Sequence, residues 1–593
     1  MRKTIKRLGA VLLAMAMAVS VLCTGALAAE NYTLTIQDSN KGHKYTAYQV
    51  FAGTVQDVTT TENKTKKQLN VTGWGSGVDT STAVGGKTLV QAIQEITVNS
   101  TKPFEGKTEP GDIAAALGAE ANNAVATAFA DVVANYVTDD GHSTDGWTTA
   151  NNDTPAHYKI TGLTGGYYFV KSANDADKTD VANTRYMLEV VGNATVAAKN
   201  GVPTVDKKVQ NTNNTNKDFA DTTTAQVGQT VNFKLTGTLP SNYDYYKSYE
   251  YIFHDTLSEG LTLTTEQEKA LFVKVYDSQA DAKKDANGTD DNTGVKLTAK
   301  SGNTGDYTVT VTPNNEAKTT SLKIAFNDLK TIQRNNTALI TKDSVIVVYY
   351  SATINGSATA GGAGNNNSIK LEYSNDPNKT GTGTTTPDNV SVFTFKLDIT
   401  KTEKGADTKL AGAKFVLSTS ADLKIDVTES DANLSENVKN SLIKVTGSTP
   451  DYVINDGTNT SATAQYIMET ASDGKLNITG LNKGVYYLYE TKAPDGYNRI
   501  TEPIKIEITE ATTEKDAEGT FSVKTLEYKI NDGDEQNGTT TDGVIKANVE
   551  NTSGSTLPST GGMGTKLFYT IGGILMAGAA IVLVVRKRRS DAE

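Results

Sequence analysis

The sequence predicts a mainly β chain made of tandem β-sandwich domains, and three observations predict it. Thr, Asn, Asp, Gly and Val are abundant while Met, His and Pro are scarce, and Tyr (26) outnumbers Phe (14) and Trp (2), which suits strands joined by polar turns. Short runs of alternating apolar and polar residues recur along the chain, bounded by Gly, Asn and Asp. Helical periodicity in the body of the chain is concentrated in one portion, Gly86 to Val137. A length of 593 residues accommodates three or four domains. The net charge of −11, with no basic cluster away from the two termini, argues against nucleic acid as a partner.

Residues 1–28 read as a secretory signal peptide. Arg2, Lys3, Lys6 and Arg7 precede an apolar stretch from Leu8 to about Cys23, and Ala26-Leu27-Ala28 supplies the small residues of a cleavage site after Ala28 or Ala29. The single cysteine, Cys23, falls in the removed piece, and Ser20-Val21-Leu22 before it lacks the small residue that lipidation requires. The mature chain therefore has no disulfide, so its durability outside the cell must come from elsewhere.

The first region, 30–200, opens with the alternating strand Tyr32–Ile36. Helical patterns follow at Asp112–Leu117 and Ala121–Tyr136. Tyr158–Leu163, a turn at Gly165-Gly166 and Tyr167–Val170 then read as a β-hairpin. The second region, 201–389, contains the strand patterns Thr230–Leu235, Tyr251–Leu257, Asp343–Ile354 and Ser368–Asn375, and ends in a polar linker from Asn378 to Asn389. The third region, 390–553, repeats part of the first: ITGLTGGYYFVKS at 160–172 parallels ITGLNKGVYYLYE at 478–490, with Ser172 facing Glu490.

Phe393–Lys401, Leu410–Leu417 and YYLYETKAPDGY at 486–497 resemble a collagen-adhesin B-type (CnaB-like) domain, a small immunoglobulin-like sandwich. The resemblance implies an intramolecular isopeptide bond between a buried Lys on the first strand and an Asn on the last, catalysed by a Glu. Those residue types suit the chemistry. A desolvated Lys amine becomes a nucleophile, and a carboxyl in the same apolar place keeps its proton and shuttles it as ammonia leaves. Strand parity puts Phe395, Leu397, Ile399 and Lys401 on one face and Asn551 in phase with Ile545, Ala547 and Val549. The expected set is Lys401, Glu490 and Asn551, with Asn548 in reserve. The second region resembles the A-type (CnaA-like) relative. Its expected set is Lys207, Asp255 and Asn375, and Lys208 remains an alternative because a one-residue slip reverses the faces. In the first region Gln37 stands where the third has Lys401, and Ser172 where it has Glu490, so no isopeptide bond is expected there.

The C-terminal 557–593 resembles a cell-wall sorting signal. Its parts are LPSTGG at 557–562, an apolar run 567–585 long enough to cross a bilayer, and Arg586-Lys587-Arg588-Arg589. Sortases cut such motifs between Thr and Gly, here Thr560–Gly561, with Leu557 and Pro558 completing the recognised core. VAAKN at 196–200 partly matches the acceptor-lysine motif of sortase-assembled pilins, though it lacks the usual Tyr-Pro, and nominates Lys199.

Together these features resemble a major (shaft) pilin of Gram-positive pili. The resemblance implies a non-enzymatic fibre subunit. Class C and housekeeping sortases, further copies of the chain, accessory pilins and peptidoglycan are the implied partners. The competing expectation is a wall-anchored or pilus-tip adhesin. Neither a cofactor nor a metal is expected. The four His are not paired at ligand spacing, and the acidic stretch Asp285–Asn292 lacks a calcium-loop signature.

Overall fold

The computed structural model describes residues 31–590 apart from 39–40, 60–64, 120–122, 145, 151–154, 175–181, 199, 211–217, 303, 378–379, 458–463 and 555–562. The signal peptide, Lys199 and LPSTGG lie outside the described residues. The chain forms two compact units: 1–394 with 512–525 and 540–543, and 395–511 with 526–539 and 544–593.

The first unit holds two sandwiches. In the first sandwich, β1 (Tyr32–Gln37) lies between β4 (His157–Leu163) and β7 (Ala194–Ala197). The facing sheet runs β3 (Thr65–Trp74), β2 (His43–Thr59), β5 (Gly166–Asn174), β6 (Arg185–Val190). Helices α1 (Leu89–Gln94), α2 (Pro110–Ala119) and α3 (Asn123–Val133) form a separate apolar cluster against β2, in which Phe51, Leu89, Ile93, Phe104, Ile113 and Phe129 are fully buried. The helical patterns of the sequence thus correspond to α2 and α3, while α1 is too short to show a period.

In the second sandwich one sheet contains β8 (Val205–Gln210), β9 (Thr230–Thr238), β13 (Val345–Ile354) and β11 (Phe272–Tyr276), in that spatial order. The other contains β15 (Asp388–Phe393), β14 (Asn365–Ser374), β10 (Tyr251–Ser258) and β12 (Thr319–Phe326). The polar stretch expected to be a linker from Asn378 to Asn389 therefore ends in a strand of this sheet. The third region begins at Phe395 rather than at 390, because Val390 to Phe393 are buried in the second sandwich.

In the second unit, β16 (Phe395–Glu403) lies between β18 (Lys475–Leu481) and β22 (Val544–Asn551), the latter parallel to it. The facing sheet carries β17 (Lys414–Ser418), β19 (Gly484–Lys492), and the 504–511 and 526–530 parts of β20 (Ile504–Lys515) and β21 (Phe521–Ile530). A final helix, α4 (Met563–Ser590), contains a 22-residue apolar span, Phe568–Arg589, with mean hydropathy 2.3. That length suffices to cross a bilayer.

The internal repeat is structural, but it is not a hairpin. β4 pairs with β1, whereas β5 pairs with β2 and β6, so the chain crosses from one sheet to the other at Thr164–Gly165. β18 and β19 do the same at Asn482–Lys483. A tyrosine makes each crossing. Tyr168 Oη accepts from Thr164 N (3.0 Å) and donates to Thr164 O (3.1 Å). Tyr486 Oη does the same with Asn482 N (2.9 Å) and O (3.0 Å). Just before each corner a bulge holds a glycine at positive φ, Gly162 (+76°) and Gly480 (+102°), where an L side chain would be strained. Alternation alone cannot tell a hairpin from a corner of this kind. The corner predicts that Tyr168→Phe strips two backbone groups of Thr164 of their partner at a cost of about 1–2 kcal/mol. Hydrogen exchange of the β4 and β5 amides should then quicken by roughly 5- to 30-fold.

Candidate functional site: buried lysines facing a carboxyl and an asparagine

Lys207 is wholly buried on β8, as its alternation with Val209 requires. Its neighbour Lys208 turns outward and pairs with Asp206 and Asp221. Lys207 Nζ lies 2.6 Å from Asp255 Oδ2, and both side chains are inaccessible. Tyr350 Oη joins them, 3.1 Å from Lys207 Nζ and donating to Asp255 Oδ2 at 2.8 Å. Asn367 Nδ2 donates to the same hydroxyl at 2.6 Å. Burial pulls the Lys207 amine down to about 8, against the opposing pull of Asp255, and burial likewise pushes the Asp255 carboxyl up. Phe233 and Tyr350 rings flank the amine at 5.4 and 5.5 Å.

Asn375, the expected third member, is not at this site. β14 runs antiparallel to β10, and Asp255 faces Ile369 while Leu257 faces Asn367. Asn375 lies six residues beyond Ile369, about 20 Å along the strand at ~3.3 Å per residue. Parity identified the correct face, since Asn367, Ile369, Leu371 and Tyr373 all point inward, but parity says nothing of the level along the strand. Asn375 instead belongs to the seam with the first sandwich, where its carbonyl accepts from Asn183 N at 2.7 Å. Two members of the set escaped the sequence reading. Tyr350 sits in a run of buried apolar residues and looks like ordinary core. Asn367 sits in Asn365-Asn366-Asn367 beside glycines and looks like loop. The phase of Asn367 with Ile369 was the available signal.

In the second unit Lys401 is wholly buried on β16, with its Nζ 3.5 Å from Glu490 Oε1 and 3.3 Å from the Val549 carbonyl. Glu490 Oε2 accepts from Asn551 Nδ2 (2.9 Å) and from Ile500 N (2.7 Å). Asn551 Nδ2 also donates to Asn498 O at 2.5 Å. Burial lowers the Lys401 amine to about 8. Asn551 is buried whereas Asn548, on the opposite face of β22, is exposed. In both sites the second carboxyl oxygen (Asp255 Oδ1, Glu490 Oε1) and the carboxamide oxygen (Asn367 Oδ1, Asn551 Oδ1) accept no hydrogen bond. A proton on the acid would give the carboxamide oxygen the donor it lacks.

A third buried lysine serves as contrast. Lys274 Nζ donates to Asp285 Oδ2 (2.5 Å) and to the Asp290 carbonyl (2.7 Å). Asp285 also accepts from Tyr276 Oη (2.9 Å) and Asp290 N (3.1 Å). Its carboxyl lies below the usual range because these hydrogen bonds outweigh burial. A saturated ammonium and a saturated carboxylate make an ion pair, not a nucleophile and an acid. The acidic stretch Asp285–Asn292 is thus the loop folded round Lys274.

Residues 395–520 match the model of the SpaA prealbumin-like fold domain, and 549–592 match the LPXTG cell wall anchor motif. The chain is a cell-wall-anchored surface protein of the Gram-positive type, built of tandem β-sandwiches. It is similar to the trypsin-resistant surface T6 protein of Streptococcus pyogenes serotype M6, at 26% identity over 431 residues, 67% of this chain and 71% of that protein. Among solved structures, the T6 backbone pilin of serotype M6 S. pyogenes, with its modular three-domain structure, superposes with TM-score 0.47 at 15% identity, over 90% of this chain and 100% of that one. The major pilin SpaD of Corynebacterium diphtheriae gives 0.41 at 14%, over 88% and 98%.

The Lys274 site yields a prediction. Asp285→Ala leaves a buried ammonium uncompensated and should destabilise the second sandwich by about 3–5 kcal/mol. Adding Lys274→Met should recover much of that loss, as read by urea denaturation followed with hydrogen exchange.

Proposed function

We propose that this chain is the shaft subunit of a surface pilus, polymerised covalently by a class C sortase, transferred to peptidoglycan by a housekeeping sortase, and hardened by two self-formed isopeptide bonds, Lys207–Asn367 and Lys401–Asn551. The observation that carries the reading is the pair of buried lysines, each set against an acid and an asparagine with unmatched oxygens.

The chemistry follows from burial. Within the low-dielectric site, a neutral amine beside a neutral acid costs less than two charges. The Lys207 amine attacks Asn367 Cγ, the Nζ–Cγ bond forms and the Cγ–Nδ2 bond breaks. Asp255 passes a proton from the attacking amine to the leaving nitrogen, which departs as ammonia, while Tyr350 holds acid and carboxamide together. Glu490 takes the same role between Lys401 and Asn551. Each bond closes a loop of about 150–160 residues and would stabilise its domain by very roughly 5 kcal/mol if loop entropy acts as in disulfides.

Polymerisation uses a different lysine. A sortase cysteine attacks the Thr560 carbonyl, Gly561 onward leaves with α4, and Lys199 of the next copy takes the acyl group. Tension then enters a subunit at Lys199 and leaves at Thr560. Both constellations lie between these points, and the first sandwich, with no lysine in its corresponding place, lies outside them. This arrangement favours a shaft role over that of an isolated adhesin.

Three variants test the reading. Tandem mass spectrometry of the folded parent should show both linked peptides, each short of about 17 Da, one ammonia. Asn367→Ala should abolish the first link and Asn375→Ala should leave it intact, and the reverse result would sink the assignment. On denaturing gels a sortase-dependent ladder should disappear with Lys199→Ala.

A further inference from the structure

Strand register shows what the first sandwich keeps in place of a crosslink. Leu34 pairs with Ile160 and Ala194, as Leu397 pairs with Ile478 and Ile545. Counting four residues on from Leu34 and from Leu397 brings Asp38 to the place of Lys401. Gln37, the equivalent expected from the sequence, is one residue short and faces the other way. Counting six on from Ala194 and from Ile545 brings Asn200 to the place of Asn551. An asparagine thus stands at the same place in both, and an acid stands in the first sandwich where the third region has its lysine.

Asn200 is buried, and its Nδ2 donates to Asp38 Oδ2 at 2.9 Å, with His43 Nε2 at 3.0 Å and Tyr45 Oη at 3.4 Å. Tyr45 Oη donates to the same Asp38 oxygen at 2.6 Å, and Trp147 Nε1 donates to the Asp38 carbonyl at 3.1 Å. On the other side of residue 199, Ala198 N donates to the Gln37 carbonyl at 2.8 Å. Both residues that flank Lys199 are therefore tied to the end of β1, one through the backbone and one through a buried side chain.

We propose that Asn200 is a positioning residue for the intermolecular joint: its clasp on Asp38, His43 and Tyr45 holds the chain on either side of Lys199 so that the amine meets the sortase acyl-enzyme. This rests on the reading of Lys199 as acceptor. In the step served, the Lys199 Nζ bonds to the Thr560 carbonyl carbon, the thioester C–S bond breaks, and the departing cysteine thiolate takes up the proton lost by the amine. Acyl transfer to an amine competes with hydrolysis by water, and an orienting contact acts on the first without touching the second.

The test uses the full chain with its class C sortase and measures acyl transfer to Lys199 against hydrolysis at Thr560. Asn200→Ala and Asp38→Ala should each lower kcat for transfer by about tenfold or more, leaving hydrolysis unchanged. The exchange Asp38→Asn with Asn200→Asp re-forms the hydrogen bond with its partners swapped and should restore transfer. Hydrogen exchange of the β1 and β7 amides at the parent rate reports that the first sandwich of each variant has folded. If either folded single variant transfers to Lys199 at the parent rate, or if the exchange rescues nothing, the positioning role is overturned. If instead Lys199→Ala polymerises normally, the acceptor reading itself falls, and peptide mapping of the joint shows which amine replaces it.

Discussion

Burying a lysine amine in an apolar interior is the constraint on which the architecture turns. A buried ammonium must be neutralised, paired or consumed. The second sandwich contains two solutions side by side. Lys274 is paired, with every donor matched and Asp285 held ionised. Lys207 meets an acid that burial pushes up and a tyrosine that also holds an asparagine. The two sites share residue types and differ in the hydrogen bonds to the acid, three to Asp285 and two to Asp255; on the proposed reading that difference keeps the first an ion pair and leaves the second able to react.

The topology decides what a bond at each site would do. Lys401 and Asn551 stand near the C-terminal ends of two adjacent parallel strands, so a link there joins first strand to last and takes 402–550 out of the line of tension. Lys207 belongs to one sheet of its sandwich and Asn367 to the other, so a link there staples sheet to sheet. A tie from first strand to last is thus available only in the second unit. In the first sandwich the corresponding place holds Asp38 and Asn200, joined by a hydrogen bond instead of a covalent one. A domain outside the line of tension has no need of more, provided the polymer is joined at Lys199.

Much of this was legible in the sequence because strand period and burial are linked. Alternation placed Lys207, Asp255, Lys401, Glu490 and Asn551 on inward faces, and each is buried. What alternation could not supply was level and sheet. It put Asn375 on the correct face but about 20 Å from Asp255, by the ~3.3 Å rise per residue. It read the sheet-crossing corner at Thr164–Gly165 as a hairpin, because a Gly turn between two alternating runs is compatible with both. It also missed Tyr350, whose hydroxyl is the only polar atom in a side chain that otherwise packs as core. The first sandwich's Asp38 was missed by one residue, since only the pairing of Leu34 and Leu397 with their neighbouring strands, not the sequence of either strand, fixes which residues correspond.

The central claim is that tension between Lys199 and Thr560 runs through covalent links, and stretching single molecules tests it most directly. With handles at 199 and 552, the account predicts that 402–550 never extends. It also predicts that at most the short segments outside the two links lengthen at forces that unfold ordinary sandwiches. Full unravelling of the second unit, releasing on the order of 500 Å at ~3.3–3.6 Å per residue, would contradict it.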